Sequence, residues 1–148
     1  AIQFTMTHDD GKKNEDVEKA DIILLGVSRT SKTPTSVYLA NRGFKTLNIP
    51  LVLDQKIPDF LKTNNNRLCV IGLTADPGRL AEIRKTRANT NNNIDLKLYT
   101  NVEKIKEEVD SSKTMFKKFN WPMIDVTRRS VEETAASIIK IYEIKKNK

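Results

Sequence analysis

The sequence predicts an α/β fold: a mainly parallel sheet with helices on both faces, of the P-loop kinase-like kind. Two observations carry this. Short apolar, β-branched runs alternate with longer stretches of helical periodicity. The first apolar run ends in a glycine that opens a basic loop, and a helix follows.

Each element has its own signal. Asp21-Ile22-Ile23-Leu24-Leu25 is an apolar run that stops at Gly26, as a buried strand does. Pro34 to Arg42 reads as a helix, with Val37, Tyr38, Leu39 and Ala40 as apolar surface and Gly43 as its stop. Lys45 to Ile49 reads as a second strand closed by Pro50, and Leu68 to Leu73 as a third. Asp76-Pro77 opens a helix, because Asp is a good N-cap and Pro fits the first helical position. Leu80, Ile83 and Arg87 fall on one side of it. Val102 to Phe119 is helical, with Val102, Ile105, Val109 and Phe116 as its apolar stripe. Met123 to Val126 is a fourth strand. Ser130 and Glu133 form a capping box for a last helix carrying Val131, Ala135, Ile138, Ile139 and Tyr142.

The 148 residues fit one domain, 1–148. The chain opens at Ala1 directly into an alternating stretch (Ile2, Phe4, Met6), without the charged and long apolar regions of a signal peptide. It is expected to be the C-terminal part of a longer chain. No apolar run approaches the roughly 20 residues that span a bilayer, so no membrane association is expected. Cys69 is the only cysteine, which excludes an internal disulfide, fits a reducing cytoplasm, and reads as a small buried hydrophobe. The net charge of +7 suits a polyanion, yet four of the 26 basic residues sit in the last nine, where a solvated helix end explains them. Aromatics make up 6% and do not interleave with basic residues, so a nucleic-acid surface is not expected. Asn64 to Asn66 and Asn89 to Asn93 read as polar loops.

The chemical signal is Gly26-Val27-Ser28-Arg29-Thr30-Ser31-Lys32-Thr33. It matches G-x-x-x-x-G-K-[ST] except that Ser31 replaces the second glycine. In such a loop the amides and the next helix's N-terminus converge on phosphate oxygens. Lys32 and Arg29 would neutralise phosphate charge, and the Thr33 hydroxyl would bind Mg²⁺. A carboxylate must complete the metal site or serve as base. Asp125 lies at a strand end and is the expected partner of Thr33. Asp76 has a rival reading as a helix cap. Asp9 and Asp10, beside the only histidine, His8, could hold Mg²⁺ or act as acid and base, or form a polar turn before Gly11. Arg79 and Arg84 are the first choices for a second phosphate, although Arg84 and Arg87 could instead pair with Glu82 or face solvent.

The run from Gly26 to Ser36, followed by Tyr38-Leu39-Ala40, resembles the regulatory proteins of pyruvate, phosphate dikinase and phosphoenolpyruvate synthase. Further matches are His8-Asp9-Asp10-Gly11, Asn48 to Val52, Gly72 to Leu80 with Ile83-Arg84, and Ile124 to Thr127 with Arg129 to Glu133. They extend from about Ile2 to Ile139. The resemblance implies a bifunctional enzyme. It phosphorylates a threonine of the dikinase from ADP, and removes that phosphate with inorganic phosphate, giving pyrophosphate. It also implies that Ser-Lys-Thr in the loop favours the dikinase as target over the synthase, and it moves His8, Asp9 and Asp10 toward a functional reading. Ala75 and Gly78 depart from the family pattern, and the family's N-terminal region is not represented. A homodimer stays open. The rival readings are a small-molecule P-loop kinase using ATP and a polyanion-binding module.

Overall fold

The structure, a computed structural model, describes residues 20–27, 30–51, 69–88 and 101–146, with the side chains of 86–88 left out. Its elements in order are β1 (Ile22–Gly26), α1 (Lys32–Asn41), β2 (Thr46–Pro50), β3 (Cys69–Thr74), α2 (Pro77–Ala88), α3 (Val102–Lys118), β4 (Met123–Asp125) and α4 (Val131–Lys146). Every element read from the sequence is present, and the strand boundaries differ by about one residue.

The four strands lie in the order β2-β1-β3-β4, all parallel. The chain leaves β1 for one neighbour, β2, and returns to β3 on the other side of β1. The strand order thus reverses at β1, the place beside which open parallel sheets generally take their ligands. Ile22 pairs with Thr46 on one side and Cys69 on the other, and the register runs unbroken to Leu25 opposite Ile49 and Gly72.

Ile22 to Leu25 are each 0% exposed, because both faces of β1 are covered. Side chains alternate across a strand, so the continuous apolar run serves two layers. Ile23, Leu25, Leu47, Ile49 and Val70 pack with Phe116 of α3 and with Trp121. Ile22, Leu24, Ile71, Leu73 and Ile124 pack with Leu39 of α1 and with Ala135 and Ile138 of α4. At the carboxyl end Val27, Ala75, Leu80, Ala81, Ile105 and Val109 join the first turns of α2 to α3.

The caps are chemically specific. Ser130 Oγ accepts from the Glu133 amide at 3.1 Å, and Glu133 Oε1 accepts from the Ser130 amide at 3.3 Å, which is the expected capping box. Asn101 caps α3 by accepting from the Glu103 and Lys104 amides. One expected stripe residue differs: Val102, at the first position of α3, is 49% exposed, because it lies a turn before the helix meets its apolar partners at Ile105. Cys69 is buried, and burial pushes its thiol pKa up against a smaller lowering by the Lys145 charge. It is an inert core residue.

Gly72 in β3 faces the Phe116 ring so closely that any Cβ would overlap it. Gly72→Ala is therefore expected to destabilise the protein by about 1–3 kcal/mol through overpacking. The urea midpoint would show the loss, and adding Phe116→Leu would recover part of it.

Candidate functional site

The first part of the site is built at the end of β1. A Cβ on Gly26 would lie 2.5 Å from Thr30 Oγ1 and 3.0 Å from the Leu73 carbonyl oxygen, so only glycine lets the chain turn here. Thr30 Oγ1 donates to the Val27 carbonyl at 2.8 Å, and Lys32 Nζ donates to the same carbonyl at 3.0 Å. The lysine is 6% exposed. Its ammonium thus sits inside the turn rather than in solvent.

Ser31 precedes α1 with φ 63° and ψ 28°, the left-handed region. This is the position where the sequence pattern asks for glycine, and the structure keeps the glycine-like conformation with a serine in it. Ser31 makes no side-chain cap bond, and the first turn of α1 carries no acidic residue. The positive end of the helix dipole is therefore not neutralised by the helix's own acids. Deeper in α1, Ser36 Oγ accepts from Asn48 Nδ2 at 3.3 Å, tying the helix to β2.

The second part lies beyond β3 and β4. A cleft of about 710 Å³ is lined by Asp76, Gly78, Arg79, Glu82, Thr127 and Arg128. Asp76 is the N-cap of α2: its Oδ2 accepts from the Arg79 amide at 3.0 Å, and its carbonyl accepts from the Leu80 amide at 3.0 Å. Of its two sequence readings, the geometry realises the cap. Asp125, exposed at the end of β4, accepts from the Thr127 amide through Oδ1 at 2.8 Å. Slight burial alone would raise its pKa. Hydrogen bonds from the Thr127 side chain and amide, with the Lys113 and Arg129 charges, outweigh this and hold it below the ordinary aspartate value.

The structure thus brings Gly26, Val27, Thr30, Ser31, Lys32 and Thr33 together at one strand end. Ser28 and Arg29, and the trio His8, Asp9 and Asp10, lie outside the described residues. Asp125 sits two strands from β1, about 10 Å at ordinary strand spacing. Arg79 is exposed and pairs with Glu82 at 3.3 Å. Arg84 is 2% exposed and pairs with Glu108 of α3 at 2.8 Å. Among the described residues no group of three or more His, Cys, Asp or Glu side chains could hold a metal. Sequence reasoning gave no role to Thr127 or Glu108. Thr127 had a signal in the Asp-x-Thr spacing, which lets an aspartate accept from the amide two residues on.

The fold is that of a parallel α/β protein, with the candidate site residues at the carboxyl ends of its strands. Within that class the chain belongs to the kinase/pyrophosphorylase family, whose pattern matches residues 1–139. It is 65% identical over 147 residues to a Pelagibacter ubique (strain HTCC1062) protein named "Putative pyruvate, phosphate dikinase regulatory protein", covering 99% of this chain and 54% of that one. Relatives of the same name from Paramagnetospirillum magneticum (strain ATCC 700264 / AMB-1) and Wolbachia pipientis wMel are each 50% identical. They cover 97% and 96% of this chain and 46% and 51% of their own length. The chain spans about half the length of the curated relatives it matches.

Two outcomes follow from this geometry. Ser31→Val should cost about 1–2 kcal/mol in urea unfolding, because a β-branched residue resists positive φ, while Ser31→Gly should stay within about 0.5 kcal/mol of the parent. Asp125 should titrate below the roughly 3.9 of an unfolded aspartate in carboxyl NMR. Its depressed pKa means that its stabilising contribution is complete above the unfolded value and fades as pH falls through the folded one. A midpoint at or above the unfolded value would refute the Thr127 hydrogen bonds.

Proposed function

We propose that the chain carries the phosphoryl-transfer site of a bifunctional regulator of pyruvate, phosphate dikinase. In one direction the β-phosphoryl group of ADP passes to a threonine hydroxyl, leaving AMP and releasing the hydroxyl proton to a base. In the other, inorganic phosphate takes the phosphoryl group from the phosphothreonine, giving pyrophosphate and restoring the hydroxyl. The family membership and the names of the relatives support the regulatory target.

The observation that carries the reading is the buried Lys32 ammonium inside the turn after β1, next to an α1 terminus without its own acids. Burying an ammonium is costly. Its position at the first turn of α1 suits an anion bound at the same helix terminus. Lys32 would then neutralise the transferring phosphate, and the loop amides would orient it for in-line attack.

Magnesium fits the donor chemistry: Thr33 offers a hydroxyl, and Asp125 is held as a carboxylate, both hard oxygen ligands. When bound, the ion supplies charge neutralisation at the transferring phosphate. Asp125 would hold its oxygen toward that charge. His8, Asp9 and Asp10 are the further candidates for the base. Phosphoenolpyruvate synthase is the alternative target, and Ser31 favours the dikinase.

The test offers purified dikinase with β-labelled ADP and, separately, γ-labelled ATP. Label should reach a dikinase threonine from ADP, and phosphate should then release it as pyrophosphate. Labelling from ATP alone would overturn the donor assignment. Lys32→Met, which keeps the apolar stem, should reduce transfer by roughly a hundredfold or more with an unchanged circular dichroism spectrum. Binding that is indifferent to this substitution and falls steeply with salt would instead indicate a polyanion-binding surface.

A further inference from the structure

Thr127 sits where two turns of the sheet meet. A threonine hydroxyl has one proton to donate and two lone pairs to accept with. Here Oγ1 accepts from the Asp76 amide at 2.8 Å, across 51 residues of sequence. The Thr127 amide donates to Asp125 Oδ1 at 2.8 Å. The surroundings restrict motion further: the Val126 amide donates to the Thr74 carbonyl at 2.8 Å, and the Arg129 amide donates to the Val126 carbonyl at 3.1 Å.

The result is a continuous path from the first turn of α2, through Asp76 and Thr127, to the carboxylate at the end of β4. Thr127, Asp76 and Arg128 also line the 710 Å³ cleft. Thr127 thus joins the two connections from both sides, its hydroxyl holding the Asp76 amide and its own amide holding the Asp125 carboxylate.

We propose that Thr127 is a positioning residue, whose hydroxyl ties the turn after β4 to the end of β3, so that its amide holds Asp125 in one orientation for phosphoryl transfer. This rests on the reading of Asp125 as part of the transfer site. It goes beyond that reading by naming the group that aims the carboxylate and the strand connection through which it does so.

The test compares Thr127→Val and Thr127→Ser, each alone and with Asp125→Asn. Thr127→Val should lower kcat for dikinase phosphorylation roughly 10–100-fold, the usual size for a residue that orients a catalytic ligand, and leave the nucleotide KM within about twofold. Thr127→Ser should retain most of the activity. In the Asp125→Asn background Thr127→Val should cost nothing further, because both changes remove one function. A second readout needs no activity: hydrogen exchange of the Asp76 amide should accelerate in Thr127→Val and not in Thr127→Ser. A normal kcat in Thr127→Val, or an equal loss in both backgrounds, overturns the proposal. If the unaltered protein transfers no phosphoryl group, the functional reading fails by itself. The Asp76 amide then decides the hydroxyl link, and unchanged exchange overturns it.

Discussion

A fully buried parallel strand must give up its ladder at the carboxyl end, and the space left there decides where the chain can go. At the end of β1 that space is almost nil: an added Cβ at Gly26 meets both the Thr30 hydroxyl and the Leu73 carbonyl. The turn is therefore drawn back against β3 rather than splayed into solvent. This close return is what lets the Val27 carbonyl accept from both Thr30 and Lys32. It also sets the start of α1 beside the reversal in strand order, where an open sheet presents its crevice. Ser31 then carries the backbone into the helix through the left-handed region, at a cost of about 1–2 kcal/mol. Packing on both sides of β1 is extensive enough to hold that conformation.

The cations of the sequence divide according to what surrounds them. Lys32 is buried at the turn. Arg84 is buried too, but its guanidinium is matched by Glu108 across α2 and α3. Breaking such a pair leaves a charge stranded in the interior, so its first duty is to keep the two helices in register. That duty still serves the site, because α2 carries one wall of the cleft. Arg79 stays in solvent with Glu82, where an ion pair stabilises little. Arg128 lines the cleft from a left-handed turn, which places a basic side chain at its rim. A net charge of +7 says nothing about this division, which depends on burial and partners.

The fold was legible in the sequence because its signals are local. Ile22 to Leu25 and Cys69 to Leu73 read as strands from composition alone, and the Ser130–Glu133 box announced α4 within four residues. The glycine-started loop was legible for the same reason, including its one mismatch, which the structure resolves as a serine in a glycine-like conformation. The links that shape the cleft were not. Arg84 meets Glu108 across 24 residues, and Asp76 meets Thr127 across 51. Pattern and propensity report what a segment does with its neighbours in sequence, whereas these contacts exist only once β3, β4 and the helices are stacked. Asn101 stands immediately before Val102, where the sequence places the helix start, and its capping role was not assigned.

Asp76 and Asp125 show why two carboxylates at neighbouring strand ends are not interchangeable. Asp76 lies just past the end of β3, the strand beside β1, yet its carboxylate and carbonyl both hold the first turn of α2. Losing that cap would cost roughly 1 kcal/mol and loosen a wall of the cleft. Asp125 lies one strand farther away and starts no helix; its hydrogen bonds come from Thr127, two residues on. It is exposed, ionised and oriented without being consumed by the fold. A group that must meet a changing charge needs that independence, because an acid already committed to amides in a helix cap cannot turn toward a ligand without releasing them. Proximity to the turn after β1 favours Asp76, and freedom from a helix cap favours Asp125. Each carboxylate holds one amide, Asp76 Oδ2 that of Arg79 and Asp125 Oδ1 that of Thr127, so the two differ in what releasing it costs: a helix cap at Asp76, a two-residue turn at Asp125.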